Sequence, residues 1–450
     1  MNPQNQNNKT LILILGCSAI FFEAFDVSIV NLSLQSIANG IKSELSTIQW
    51  IQTIYLIAFG SFLLLGGRMC DYWGCKKIFI IGMSVFGIAS ISAVICENLF
   101  VLLIIRGSQG FGAAMAMPAA IAILSMTFDA GRDRNKAFGI FGSFAAIGFA
   151  LGLALGGIIT TYFTWHWIFS MSFPIILIIV LTAIRFLPDT PLQNEKRFNI
   201  LSSVLLVLSL ILFCYGIHEL AIVGLNSIFY ISVGTICMIA MLKYDRKNSN
   251  PFFIKSAFSR PSIKGQVSSF ILGLCFLSFV FISTLILSNI FGLSNRSIGF
   301  TLLPFSILSA FVSKYVLPKL FNKFGEKGVV VIAMISLLTG SLILLLAVTA
   351  NNYNLILVAL LLVNSFCIAI GYPAMTILAL TGIAPENHGT GAGLQSSFYT
   401  IGSSIGVSFI GLFLTCKQNN SYLIPILYSC IFIILMSIVS LKVLLAKSRI

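Results

Sequence analysis

The chain has 450 residues, of which 58% are hydrophobic and only 9% charged, and its mean hydropathy is +1.01. A soluble domain carries about 25% charged residues, so this composition excludes a water-soluble fold and points to an all-α membrane protein. The net charge of +14 invites a nucleic-acid reading, which its distribution along the chain removes.

Apolar runs of roughly 20 residues, the length that spans a hydrocarbon core, recur from end to end. Fourteen predicted spans begin near Leu11, Thr47, Lys77, Phe100, Lys136, Trp167, Asn199, Ala221, Gly265, Ser297, Gly328, Asn354, Thr390 and Tyr422. The first run lacks a small-residue cleavage site after it and reads as a membrane helix, not a removed leader. It carries two acids, Glu23 and Asp26, in "FFEAFDVSIVN". The second span leads into "GGRMCDYWGCKK", Gly66 to Lys77, and the fourth holds Arg106 in "RGSQGFGAA". The fifth carries Gly139, Gly148, Gly152, Gly156 and Gly157, and "WHWIF" opens the sixth. After the eighth span comes the longest connection, Lys243 to Lys264, which is basic and contains Pro251 and Pro261. The tenth span leads into "PKLFNKFGEKG", Pro318 to Gly328.

Assigning alternate loops to one face, beginning with the N-terminus, places 23 of the 27 Lys and Arg residues there. The other face has Lys42, Arg296 and Lys417, and Arg106 lies within a span. This is the positive-inside asymmetry, and it predicts both termini in the cytoplasm. The positive charge is therefore topogenic, and nucleic acid is not an expected partner. An internal repeat accompanies it: Asp71 precedes Gly74 by three residues, and Asn322 precedes Gly325 by three, with basic residues following each. The copies lie eight spans apart. Two six-helix units with an inserted pair account for this, giving an N-terminal bundle (1–190), inserted helices seven and eight (191–260) and a C-terminal bundle (261–450). Parallel repeats meeting at a midplane site are a transporter plan.

These segments, in this order, resemble the major facilitator superfamily and specifically its fourteen-helix drug:proton antiporter branch, over nearly the whole chain. The loop pattern Gly-x-x-x-Asp-x-x-Gly-x-Lys/Arg is met by Gly67, Asp71, Gly74, Lys76 and Lys77. Arg106 to Ala114 matches Arg-x-x-Gln-Gly, and Gly148, Gly152, Gly156 and Gly157 match the antiporter motif of the fifth helix. "DVSIVNLSL" is similar to the branch's first-helix motif. Two positions depart: Leu153 stands where the fifth-helix motif has Pro, and Gln35 where the first-helix motif ends in Pro. The resemblance implies a major facilitator fold, adjacent first and fourth helices, and a gating loop in which Asp71 caps a helix of the opposite bundle.

Depth along the helices supports a pairing. Asp26 is about 15 residues into its span, roughly 22 Å, and Arg106 is about six residues, roughly 9 Å, in from the other face. In a core about 30 Å thick these are similar depths. A charge within a membrane needs a partner or a wet cavity. Burial disfavours an ionised carboxyl, a nearby Arg favours it, and two acids three residues apart disfavour each other's ionisation. Glu23, Asp26 and Arg106 are therefore the expected proton-coupling group. The competing reading is a static ion pair that fixes helix packing.

Spans nine to fourteen hold almost no ionisable residues. The expected cavity lining is Gln52, Tyr55, Gln109, Met115 and Met117 from the first half, and Asn289, Asn364, Tyr372, Gln395, Phe398 and Tyr399 from the second. Apolar and aromatic walls with few polar groups suit amphipathic organic ligands. The ten cysteines form no CxxC pair, so neither a disulfide framework nor a zinc site is expected. His166 and His218 fall at outer ends and His388 in an inner loop, so no metal site and no cofactor are expected.

The expected function is proton-coupled efflux of amphipathic, drug-like small molecules by a multi-pass protein of a bacterial inner membrane, working as a monomer by alternating access. The alternative on the same fold is symport or export of a specific metabolite or siderophore, favoured by Leu153. An enzyme or a sensor is a third class. An enzyme would need a polar cluster near one face, and a sensor a long soluble domain, and neither is present in the sequence.

Overall fold

The structure, a computed structural model, describes residues 3–43, 48, 50–189, 199–220, 227–247, 259–293, 295–415 and 423–445. These are almost entirely helical. The helices are α1 (Pro3–Ile41), α2 (Trp50–Trp73), α3 (Cys75–Ser92), α4 (Leu99–Thr127), α5 (Arg132–Tyr162), α6 (Ser172–Phe186), α7 (Ile200–Leu220) and α8 (Ser227–Lys247). They continue as α9 (Arg260–Asn289), α10 (Asn295–Phe311), α11 (Leu317–Thr349), α12 (Tyr353–Leu360), α13 (Ile368–Leu380), α14 (His388–Thr415) and α15 (Leu423–Leu445). A π-helical segment, Val312–Val316, joins α10 to α11, and another, Leu361–Cys367, joins α12 to α13. The predicted first span began near Leu11, whereas α1 starts at Pro3, because the polar residues ahead of the apolar run continue the same helix.

Among the described residues, eleven helices are long and apolar enough to cross a membrane. One of these runs Ser297–Thr349, 53 residues, and is interrupted at Gly325, whose φ of 66° and ψ of 176° are non-helical. Gly74, between α2 and α3, also has a positive φ, 91°. Both glycines of the sequence repeat thus occupy backbone conformations that side chains disfavour. Asn98 and Asn352 cap α4 and α12, each side-chain oxygen accepting from a backbone N–H of the first turn. Many hydroxyls are satisfied within their own helices: Ser33 Oγ donates to Ile29 O and Ser278 Oγ to Leu274 O, each at 2.6 Å. The outer surface is apolar, with Ile104, Ile178, Leu181, Phe229, Ile236 and Leu435 more than half exposed. Such a surface suits lipid and not water.

In the first half, α1 packs on α5, and α4 receives α2 and α3. In the second, α9 packs against α13, α14 and α15, and α11 against α13 and α15. Helices α7 and α8 pair with each other, and α7 leans on α2 and α14. The halves meet where α2 and α4 touch α14, and where α5 touches α10, the 312–316 segment and α13. Small residues allow these crossings. A Cβ on Gly67 would collide with the backbone carbonyl of Gly389, and one on Gly393 would lie 2.7 Å from Leu63 O. At the second crossing Ser313 Oγ donates to Gly139 O at 2.8 Å, and a Cβ on Gly142 would lie 2.8 Å from Pro373 Cγ.

Candidate functional site

Arg106 is fully buried in α4 and every nitrogen of its guanidinium is engaged. Nε donates to Ile51 O at 3.2 Å, Nη1 to Asp26 Oδ2 at 2.7 Å and to Gln109 Oε1 at 2.8 Å, and Nη2 to Gln52 Oε1 at 3.3 Å. The ring of Tyr55 lies under the guanidinium, its centroid 4.4 Å from Cζ, and that of Phe169 is 5.9 Å away. Gln109 Nε2 donates in turn to Ser90 Oγ at 2.8 Å, so α1, α2, α3 and α4 are tied together around one cation. Asp26 is 5% exposed. The planar five-donor fork of Arg suits this arrangement, and Lys, with one nitrogen, could not replicate it. A buried pair of this kind is costly to break, because removing either partner strands the other charge.

Glu23 lies one turn before Asp26 on the same helix and is partly exposed. The rings of Tyr372 and Tyr399 meet edge to face at 5.1 Å. They come from α13 and α14. Gln52 Nε2 and Tyr55 Oη are buried with no hydrogen-bond partner. Both atoms are shielded from solvent, and the Tyr55 ring lies on Arg106, which holds the Asp26 carboxylate.

The glycines of α5 set the position of this acid pair. Gly148, Gly152 and Gly156 recur every four residues and form one stripe. A Cβ at Gly148 would strike Phe21 O, one at Gly152 would meet Ser28 Oγ and Phe25 O, and one at Gly156 would lie 3.3 Å from Ile29. Positions 21, 25, 28 and 29 of α1 thus press on α5, and Glu23 and Asp26 fall between them, on another face. Gly157 follows on α5, and its surroundings lie outside the described residues.

At the end where α2 finishes and α14 begins, Asp71 is 2% exposed. Its Oδ1 accepts from Gly389 N at 2.9 Å, and its Oδ2 accepts from Thr390 N at 2.9 Å and from Thr390 Oγ1. A carboxylate of one half thereby caps the first turn of a helix in the other, where the helix dipole favours negative charge. Gly67, one turn earlier, makes the close approach to Gly389. Lys76 Nζ stands 3.6 Å from the highly exposed Asp189, a surface pair worth little. Lys77 is exposed.

The remaining expected residues divide. Gln109 is fully buried in the Arg106 cluster, bonded to Arg106 and Ser90. Met115 and Met117 are core residues of the first half. Asn289 stands exposed at the last position of α9, its Nδ2 bonded to Leu285 O, and not at mid-helix. Gln395 is buried, its Nε2 donating to Ser269 Oγ at 3.2 Å. Asn364 lies in the second π-helical segment, and its Oδ1 is buried without a partner. Phe398 packs edge to face with Phe270. His166 stacks on Trp165, with Nε2 3.2 Å from Cys96 O. His388 is not a loop residue: it opens α14, 5% exposed, with Nε2 3.1 Å from Ile383 O. The side chain of His218 lies outside the described residues. The residues missed from sequence are Ser90, Gly389 and Thr390; the run "HGTGAG" signalled a close helix contact but not its carboxylate partner.

The Major Facilitator Superfamily model matches residues 16–407. The chain belongs to the major facilitator superfamily. Among its relatives, the multidrug resistance protein Stp of Mycobacterium tuberculosis (strain CDC 1551 / Oshkosh) is 26% identical over 419 residues, 90% of this chain and 76% of that protein. The riboflavin transporter RibZ of Clostridioides difficile (strain 630) is 25% identical over 412 residues, 90% of this chain and 88% of that one. The human organic anion transporter MFSD10 has the same fold, with a TM-score of 0.71 at 14% identity, covering 97% of this chain and 99% of that one. This superfamily member is a multi-pass membrane transporter and not an enzyme.

Proposed function

We propose that this transporter exports amphipathic, drug-like small molecules across the cytoplasmic membrane in exchange for protons, as a fourteen-helix monomer of the drug:proton antiporter branch. Fourteen crossings follow from the eleven long apolar helices when Ser297–Thr349 is divided at Gly325 and when α7 and α14 each cross once. The bundles are then 1–190 and 261–450, with 191–260 as the inserted pair. The Lys and Arg asymmetry puts both termini, and the end where α2 meets α14, in the cytoplasm. In that orientation the Asp71 cap, with Gly67, Gly74, Lys76 and Lys77 around it, is a closed cytoplasmic gate.

One observation carries the coupling: Asp26 is buried and held by Arg106 at 2.7 Å, while Glu23, one turn away on the same helix, is partly exposed. Ionised, Asp26 keeps Arg106 and its cluster in register. Protonated, it loses the charge-assisted bond and frees α1 to shift against α4. Glu23 is the acid that a substrate entering between α1 and the two tyrosines meets. A ligand that displaces a proton there, and a proton that displaces the ligand, give exchange when the two halves rock about this site. Gln52, Tyr55, Asn364, Gln395 and Tyr399 supply the remaining cavity contacts.

The second reading, transport of a specific metabolite, rests on Leu153 in the glycine motif and on the kinship with a riboflavin transporter. The two separate in inside-out vesicles acidified by respiration. Proton release is followed on adding lipophilic cations, neutral antibiotics, organic acids or riboflavin. Discharge by several unrelated amphipaths supports drug export. Discharge by one metabolite alone supports the second reading, and discharge by none contradicts proton exchange.

A further inference from the structure

The second copy of the repeat differs from the first in a way that leaves charge uncompensated. In the first, Asp71 reaches across to the start of α14. In the second, the corresponding residue is Asn322, which is neutral and exposed and stands across from the start of α5. Between them is a cavity of about 430 Å³. Arg132 and Lys136 of α5 line one wall, and Lys314, Tyr315, Lys319 and Asn322 the other. Asp133 is the one acid on its lining.

Among the described residues none of the four basic side chains forms an ion pair. Lys314 lies over the ring of Tyr315 at 5.1 Å, a contact that leaves its three N–H donors free. The first turn of α5 adds positive potential beside its own Asp133. The 312–316 segment is π-helical, a bulge frequent at functional sites, and it turns Lys314 and Tyr315 together toward α5. Topogenic lysines need only lie on one face of the membrane. They do not need to converge from opposite halves on one concavity.

We infer that this groove binds a phosphate group, from an anionic lipid headgroup or a free phosphate ion, held jointly by Arg132 and Lys136 of one half and Lys314 and Lys319 of the other. A multiply charged tetrahedral anion matches the excess of three positive charges that remains once Asp133 is set against the four cations. Phe311 at the end of α10, Tyr315 in the 312–316 segment and Phe324 in α11, each about half exposed, suit a lipid-facing mouth. Bound there, the anion bridges the halves as Asp71 does at the other crossing, and so favours the arrangement in which these ends touch. The binding stands on this geometry alone; its effect on turnover rests on the alternating-access reading.

The test compares the wild type with Lys314→Gln/Lys319→Gln, and with Lys243→Gln/Lys442→Gln as a control of equal charge at exposed positions. All four lysines are solvent-exposed, so folding is spared. One arm titrates the full-length protein in uncharged detergent with inorganic phosphate. The other places it in nanodiscs of phosphatidylethanolamine with or without phosphatidylglycerol and counts retained phosphatidylglycerol by native mass spectrometry. The groove variant is expected to bind about tenfold more weakly than wild type and control, the scale of one charge-assisted hydrogen bond. Lys314→Arg/Lys319→Arg is expected to bind as wild type. Retention of the lipid without binding of phosphate assigns the source to the headgroup, and the reverse assigns it to the free ion. Equal binding by groove variant and control, or no binding of either probe, overturns the inference.

Discussion

The two halves of this transporter share a helical plan and divide their chemistry unequally. The first half buries a full ionic cluster, with Asp26, Arg106, Gln52, Gln109 and Ser90 linked through four helices. The second buries hydroxyls, amides and aromatic rings at the facing positions: Gln395 on Ser269, and Tyr372 on Tyr399. The repeat loops differ in the same sense, Asp71 buried and bonded, Asn322 exposed. The difference teaches that one half buries fixed charge, while the other buries neutral hydroxyls, amides and aromatic rings; in the proposed mechanism the first moves protons and the second meets the ligand. A carboxylate in lipid demands a fixed counter-charge, whereas an aromatic wall demands none, so the first half is specified tightly and the second loosely.

The largest expected effect breaks the charged side. Arg106→Ala strands Asp26 and should cost about 3–5 kcal/mol, read as collapse of the monodisperse peak in detergent. Arg106→Lys should recover only part of it, since one ammonium cannot reach Ile51 O, Asp26, Gln109 and Gln52 together. Next comes the α1–α5 seam: Gly152→Leu places a side chain on Phe25 O and Ser28. Overpacking there should cost about 1–3 kcal/mol and abolish transport while leaving the second half protected from amide exchange. Asp71→Asn removes the charge at the α14 start and leaves one acceptor oxygen where Asp has two, so the bonds to either Gly389 or Thr390 are lost. A loss of about 1–2 kcal/mol at that contact should quicken exchange of the Gly389 and Thr390 amides. The smallest effect is expected opposite: Asn364→Leu removes a buried unpaired oxygen. It should leave stability unchanged or raise it by about 1 kcal/mol, and lower affinity for the transported compound.

Much of the first half was legible in the sequence because acids and an arginine inside apolar runs are rare enough to be paired by depth alone. The rise per residue brought Asp26 and Arg106 to one level, and they meet at 2.7 Å. The four-residue glycine spacing of α5 is a packing pattern, but it does not say that its partner is α1, on the face away from the two acids. Depth does not give direction around the helix. Depth therefore did not show that Gln109 is bonded to Arg106, nor that Asn289, expected in the cavity lining, stands exposed at the end of α9 with its Nδ2 on Leu285 O. The π-helical segments at 312–316 and 361–367 shift the faces that follow them, and no residue pattern announced them. His388, expected in an inner loop, is buried and stands at the start of α14.

The most direct measurement is proton flux driven by a transported compound in liposomes of purified protein, with an imposed pH gradient, for wild type, Asp26→Asn, Glu23→Gln and Asn364→Leu. Proton exchange through the first half predicts that Asp26→Asn abolishes compound-driven flux at every concentration, while Asn364→Leu retains it at raised concentration. Wild-type flux in Asp26→Asn, with the compound still transported, would contradict it and leave the Asp26–Arg106 pair as a brace between helices.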